Sequence, residues 1–494
     1  MTGLLVAGTT SDAGKSIVTT GLCRALARRG VHVAPYKAQN MSNNSMVCRN
    51  PDGTTAEIGR AQWIQARAAR VTPEPAMNPV LLKPGSDRRS HVVLLGRPAG
   101  EVSATDFATG RRHLASAAHA AYDDLAARFD MIIAEGAGSP AEVNLRASDY
   151  VNMGLARHAD LPVVIVGDID RGGVFASMLG TLALLEPADQ RLVAGFVVNK
   201  FRGDLDLLRP GLDELTRRTG RPVHGVLPWH PDLWLDSEDA LDLEGRRDRR
   251  EGRRRVAVIR LPRISNFTDV DALGLEPALD VVFVSDPREV ADADLVVLPG
   301  TRATIADLRW VRRRGLDRAL IAHVAAGKPL LGVCGGFQML GRRITDPDGV
   351  EGPAEIDVEG LGILPVHTRF RADKVLTLPT TRLWDTTVAG YEIHHGEVTR
   401  EAGTDEFLGG AQQGNVYGTL WHGSLESDEF RSELLRRTLG LAPSGASFPE
   451  ARERRLELLA DLVEEHLDVA SLLGLARNGV PMGLPVLRTD LGHR

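Results

Sequence analysis

The chain has 494 residues, too many for one ordinary core, so two or three domains are expected. Hydrophobic residues at 43% and charged residues at 25% are those of a soluble globular protein, and 59 basic against 65 acidic side chains leave a net charge of -6, which gives no hint of a nucleic-acid partner. Three cysteines, Cys23, Cys48 and Cys334, are too few for a disulfide framework. No uncharged apolar stretch approaches the ~18 residues that span a bilayer, and the apolar N-terminal run ends in a Gly-rich turn rather than a cleavage site, so no membrane partner and a cytoplasmic location are expected.

Short apolar runs bounded by turn residues alternate with longer amphipathic stretches, the pattern of an α/β protein with a parallel sheet covered by helices. Strands are expected at Leu4-Ala7, Val31-Tyr36, Met131-Ala134, Pro162-Val166 and Leu192-Val198, with helices over Ile17-Arg29 and Leu114-Arg128. The chain then changes character, and the charge run from Gly245 to Arg255 cannot be buried. Residues 1–243 are therefore read as a first domain and 244–255 as an exposed linker. The strand rhythm restarts at Val256-Arg260, Val281-Val284, Leu295-Leu298 and Leu330-Val333, which defines a second α/β domain over 256–443. Within the tail, 444–494, Glu450-Leu467 has helical spacing; no chemistry is assigned to it.

The first expected strand runs into Gly8-Thr-Thr-Ser-Asp-Ala-Gly-Lys15-Ser16 and then a helix. Gly8 and Gly14 let the backbone turn tightly, so that N–H groups around Thr10 and the helix N-terminus point at phosphate oxygens. Lys15 would neutralise the β- and γ-phosphates and the Ser16 hydroxyl would ligate magnesium, which makes ATP and Mg2+ the expected cofactors. The loop departs from the standard phosphate-binding spacing, with five residues between Gly8 and Gly14. Glu135 ends a buried strand, where ligands bind in open α/β sheets, and Glu57 is read with it as completing a magnesium shell. Asp168 and Asp170 follow another strand and are read as capping a turn or touching metal or substrate.

In the second domain Leu330-Leu-Gly-Val-Cys334-Gly-Gly-Phe places a cysteine between a strand and a helix. Such an elbow exposes the sulfur, and the helix N-terminus favours thiolate, whereas Cys23 reads as core filler. His422, where another strand runs out, is the expected base. Backbone N–H groups around Gly300 and at Gly335 would form an oxyanion hole.

The phosphate loop, Tyr36-Lys37, Glu135-Gly-Ala-Gly138 and Val198-Asn199 together resemble dethiobiotin synthetase. That likeness implies ATP, magnesium and an activated carboxylate, with Lys37 contacting phosphate or substrate and Asn199 reading the adenine. The Cys334 elbow with His422 resembles the class I glutamine amidotransferases, which release ammonia through a γ-glutamyl thioester. Many of these carry His-x-Glu, but Gly423 and Ser424 follow His422 here, so the imidazole is left to a dyad or to an acid from elsewhere, such as Glu392.

A longer set of segments resembles the cobyric acid synthase family over nearly the whole chain. They include Tyr36-Lys-Ala-Gln-Asn-Met-Ser-Asn-Asn-Ser45, Asp168-Ile-Asp-Arg-Gly-Gly-Val-Phe175, Arg263-Ile-Ser-Asn-Phe-Thr-Asp269 and Gly390-Tyr-Glu-Ile-His-His-Gly396. The resemblance implies ATP- and glutamine-dependent amidation of the b, d, e and g carboxylates of a corrinoid, adenosylcobyrinic a,c-diamide. The amides of Gln39, Asn40, Asn43 and Asn44 suit a ring periphery carrying acids and amides, or else an Asn-rich turn capped by its own side chains. The rival readings are the paralogous a,c-diamide synthase and a regulatory ATPase of the partitioning type.

Overall fold

A computed structural model describes residues 2–86, 89–103, 112–231, 233, 252–352 and 354–487. The expected charged linker lies outside the described residues apart from 252–255, as do 234–243 and 488–494.

The first sheet contains β1 (Gly3–Gly8), β2 (Val33–Tyr36), β3 (Met131–Glu135), β4 (Val163–Asp168), β5 (Val193–Phe201) and β6 (Val223–Pro228). Its spatial order is β6-β5-β4-β1-β3-β2, and every pairing is parallel. Its inner strands are buried along their length because helices cover both faces, which is why they read as unbroken apolar runs. Helix α1 (Lys15–Arg28) leaves the phosphate loop.

Between β2 and β3 the chain makes elements that the apolar rhythm does not announce. A hairpin pairs Ser45–Arg49 with Thr55–Gly59, α2 spans Arg60–Ala68, and a small sheet joins Gln39–Met41, Val80–Ser86, Arg89–Leu94 and Arg97–Ser103. Polar residues stay buried in this region because each finds a partner: the Asn78 amide accepts from Gly59 N and donates to the carbonyls of Lys37 and Val80.

The second sheet contains β7 (Arg254–Ile259), β8 (Leu279–Val284), β9 (Leu295–Leu298), β10 (Leu330–Val333), β11 (Asp405–Phe407), β12 (Gly410–Gln413) and β13 (Val416–Thr419), in the order β8-β7-β9-β10-β13-β12-β11. It is parallel except at one edge, where β11 and β12 form an antiparallel hairpin. The two-residue turn there, Leu408 and Gly409, has positive φ at both positions, the geometry that matches strand twist. Helices α3 (Thr304–Arg313) and α4 (Gly335–Leu340) carry the two loops that meet at the second site.

The tail is not an appendage. Helix α5 (Phe448–His466) and α6 (Val469–Asn478) return to the first domain, where Leu456, Ala460 and Val463 share a core with Val18, Leu22 and Cys23 of α1. A side chain at Gly21 would lie 2.4 Å from Val463 Cγ2, so glycine sets the closeness of the two helices. Arg24 pairs with Glu453 and Glu457, and Arg28 with Glu457, Asp461 and Glu464.

Candidate active sites

At the first site the chain turns from β1 into α1 through Gly14, whose φ of 98° lies in the left-handed region. A Cβ there would fall 1.8 Å from Asn199 Nδ2, and that same nitrogen donates to the Ala13 carbonyl at 3.0 Å. Asn199 thus props the loop from beneath, a role the resemblance did not supply. Gly8 lies against the Lys15 side chain, 3.0 Å from a built Cβ. Lys15 Nζ donates to the carbonyls of Thr10, 2.9 Å, and Gly138, 3.2 Å, so the phosphate loop and the segment after β3 meet at its ammonium.

Glu135 is fully buried at the end of β3. Its Oε1 accepts from Ser16 Oγ and Lys37 Nζ, both at 2.9 Å, and its Oε2 accepts from Gln65 of α2. Burial opposes its charge, but the Lys37 ammonium outweighs burial and holds the carboxyl below the usual range. Among the described residues no three His, Cys, Asp or Glu side chains converge on a metal position. One hydroxyl and one carboxylate side by side fit magnesium, which keeps water and phosphate oxygens as its remaining ligands.

Glu57 does not join this pair. Its carboxylate is buried in a separate cluster, where Oε1 accepts from Ser45 Oγ and Lys83 Nζ and Oε2 from Lys374 of the second domain. With two ammonium groups already on it, Glu57 is an ion-pair centre between domains rather than a partner of Ser16 and Glu135. Asp168 caps its turn, accepting from Asp170 N and from Lys200 Nζ, each at 2.9 Å. Gln39 and Asn40 are buried and internally bonded, Gln39 Oε1 to Tyr150 OH at 2.6 Å and Asn40 Nδ2 to Gln62 at 3.0 Å.

At the second site β10 ends at Cys334, whose φ of 48° and ψ of -112° make a sharp elbow into α4. Its N–H donates to the Thr419 carbonyl at 2.7 Å, and Sγ lies 3.9 Å from the Ile393 carbonyl oxygen. Cys334 and His422 line one cavity, close enough for the sulfur to act on the charge of the imidazole. The opposite ring nitrogen, Nδ1, bonds Asp269 Oδ2 at 2.6 Å, and Oδ1 of that carboxylate accepts from Gly423 N at 2.8 Å. The carboxylate bonded to the imidazole is therefore Asp269 and not Glu392, which accepts from Thr377 Oγ1 instead. Burial disfavours the imidazolium, but Asp269 and the Cys334 sulfur outweigh it and push His422 up to about 10. By contrast burial pushes the Cys48 thiol up to about 12 and Cys23 higher still, so these stay inert thiols.

Gly300 packs against the His422 imidazole, 3.0 Å from a built Cβ to His422 Cε1, and Gly335 against Thr301 N at 3.1 Å. Both expected oxyanion loops thus flank the thiol. A cavity of about 50 Å³ beside Cys334 and His422 is also lined by Asn43 and Lys83 of the first domain. Asn43, expected at the corrinoid, is among the residues that line this cavity. Asp269 lay inside a segment that carried the family resemblance, but 153 residues of chain separate it from His422, and spacing offers no signal across that distance.

Residues 4–242 match the CobQ/CobB/MinD/ParA nucleotide binding domain and residues 255–430 the CobB/CobQ-like glutamine amidotransferase domain. A nucleotide-binding domain joined to a glutaminase domain defines the class, a glutamine-hydrolysing carbon–nitrogen ligase. Over 99% of either chain, the protein is 72% identical to the cobyric acid synthases of Mycolicibacterium gilvum and Mycobacterium tuberculosis, and 70% identical to that of Mycolicibacterium vanbaalenii. The chain belongs to the cobyric acid synthase family. That placement sets aside the a,c-diamide synthase, and the glutamine amidotransferase domain sets aside the partitioning ATPase.

Proposed function

We propose that this chain amidates the b, d, e and g carboxylates of adenosylcobyrinic a,c-diamide in the cytoplasm, with residues 1–243 as the ATP- and magnesium-dependent synthetase and 256–443 as the glutaminase. The observation that carries the residue-level reading is the Asp269–His422 pair lining, with Cys334, a cavity that both domains wall.

In this reading the Cys334 thiolate attacks the γ-amide carbon of glutamine, and His422 gives its proton to the departing ammonia. A γ-glutamyl thioester remains, which water hydrolyses with His422 as base. Asp269 fixes the ring and sustains its charge, as the acid of a catalytic triad does. Backbone N–H groups around Gly300, Thr301 and Gly335 hold the developing oxyanion, a contribution of about 3–4 kcal/mol per donor. At the other site Lys15 and Lys37 would offset phosphate and carboxylate charge, and Ser16 Oγ and Glu135 would hold magnesium. ATP, when bound, supplies the phosphoryl group that turns a substrate carboxylate into an acyl phosphate, which ammonia attacks.

Mass spectrometry of adenosylcobyrinic a,c-diamide incubated with the protein, ATP, magnesium and glutamine tests the whole reaction. A ladder ending at four added amides is expected. Two additions to cobyrinic acid, or no change in mass, would refute the assigned acceptor.

A further inference from the structure

The carboxylate of Glu135 has a third contact that phosphate chemistry does not account for. Oε1 accepts from Ser16 Oγ and Lys37 Nζ, whereas Oε2 accepts from the side-chain amide of Gln65, Nε2 donating at 2.5 Å. Gln65 is fully buried, and its own Oε1 has no hydrogen-bond partner among the described residues. Burying an amide with its oxygen unused costs free energy that an apolar side chain of the same length would not, so packing alone does not explain the residue. The two nitrogen donors on Glu135 also differ in charge. Lys37 brings a positive charge that repels a cation from the same oxygen, whereas the Gln65 amide is neutral and holds the carboxylate without repelling an ion. Helix α2 is a firm mount for it. The helix starts at the buried Arg60, whose Nη2 donates to Glu426 of the second domain at 2.9 Å, and it packs along α1, which carries Ser16.

We propose that Gln65 is a positioning residue for magnesium: its amide N–H holds the Glu135 carboxylate so that Oε1 shares the ion with Ser16, and its Oε1 accepts from a water that the ion keeps. This rests on the reading that Ser16 and Glu135 hold magnesium. Such an ion retains several waters when protein binds it, and a water donates to any acceptor within reach. Gln65 also separates two tasks around Glu135. Lys37 can move to phosphate or substrate during turnover, and the carboxylate keeps its orientation because the amide on Oε2 does not move with it.

The experiment measures metal binding as well as turnover. Mn2+, whose free ion is counted by electron paramagnetic resonance, is titrated into wild type, Gln65→Met and Glu135→Gln, each in excess over a non-hydrolysable ATP analogue. The magnesium midpoint of ammonia-supported amidation is recorded for the same proteins. Gln65→Met should weaken Mn2+ binding and raise the magnesium midpoint by about 10- to 100-fold, while the rate at saturating magnesium falls less than about three-fold. Glutaminase activity uses none of these residues, so it should match wild type and reports that the chain has folded. Should Gln65→Met fail to fold, Gln65→Asn, which keeps the amide but draws it back by one methylene, carries the same expectation. Unchanged Mn2+ binding in a folded Gln65 variant would overturn the inference, as would a lower rate at saturating magnesium with no shift in midpoint. If Glu135→Gln also binds Mn2+ like wild type, the magnesium reading itself has failed; if Glu135→Gln weakens binding and the Gln65 variants do not, only the positioning role is lost.

Discussion

The two sites differ in what holds their reactive groups. In the glutaminase site Asp269 is bound to His422 and to the Gly423 backbone, and Cys334 N–H to the Thr419 carbonyl, so that in the proposed chemistry substrate adds to contacts that persist. In the synthetase site the same kind of groups are bound to partners that the reaction must replace. Lys15 is on two carbonyls, and Ser16 is on the carboxylate with which it would share a metal. Preorganisation lowers the cost of reaching a transition state, and exchange of internal contacts couples a site to its ligand. The contrast suits a cheap nitrogen source on one side and a costly activation step on the other.

The strongest blow to that comparison is Lys15→Ala, which should abolish amidation from both glutamine and ammonium, by about three orders of magnitude in steady-state rate. Normal ammonia-supported turnover would remove Lys15 from the activation step. Cys334→Ala should end glutamine-dependent amidation as completely but spare the ammonium route, since only the thioester is lost; product formation from each nitrogen source separates the two.

Asp269→Asn should lower glutaminase kcat by about 10²- to 10⁴-fold with little change in KM, because the ring loses its orienting charge rather than its contact with substrate. This variant also has a pH signature. The folded-state value of about 10 for His422 lies above the unfolded value near 6.5, so the imidazolium's contribution is fully present below about pH 6.5 and is lost as pH rises through about 10. The difference in Tm between wild type and Asp269→Asn should therefore be largest at pH 6 and shrink toward pH 10. A pH-independent gap would mean that the pair is not charged. The smallest effect on chemistry is expected from Glu57→Gln. It should leave the magnesium titration of ammonia-supported amidation unmoved, where Glu135→Gln shifts it to higher concentration, yet cost about 3–5 kcal/mol of stability by stranding Lys83 and Lys374.

What the sequence disclosed followed from locality. Strands buried on both faces appear as continuous apolar runs, and the phosphate loop and the cysteine elbow each lie within about ten consecutive residues, so both were legible as local turns between a strand and a helix. The antiparallel edge of the second sheet was not expected, because its strands are three and four residues long. The hairpin and small sheet after β2 were invisible for a different reason: their buried positions include Gln39, Asn40, Ser45 and Glu57, and polar residues signal a surface unless their partners are known. The misreading of Glu57 has the same origin. Its two lysines lie 26 and 317 residues away, and no spacing rule reaches that far. Asp269 was missed likewise, and so was the destination of the tail, whose row of carboxylates is matched by Arg24, Arg28, Arg29 and Arg70 toward the other end of the chain.

That return of α5 onto α1 bears on how the polypeptide is made. On a ribosome the phosphate-binding helix emerges among the first residues, but the surface that covers its outer face, Leu456 to Val463, is translated only after the whole glutaminase domain. A nascent chain can build the sheet of its first half early, yet the apolar stripe of Val18, Leu22 and Cys23 must wait for the last helices. Completion of the ATP-binding half is thereby timed to follow synthesis of the half that supplies its ammonia.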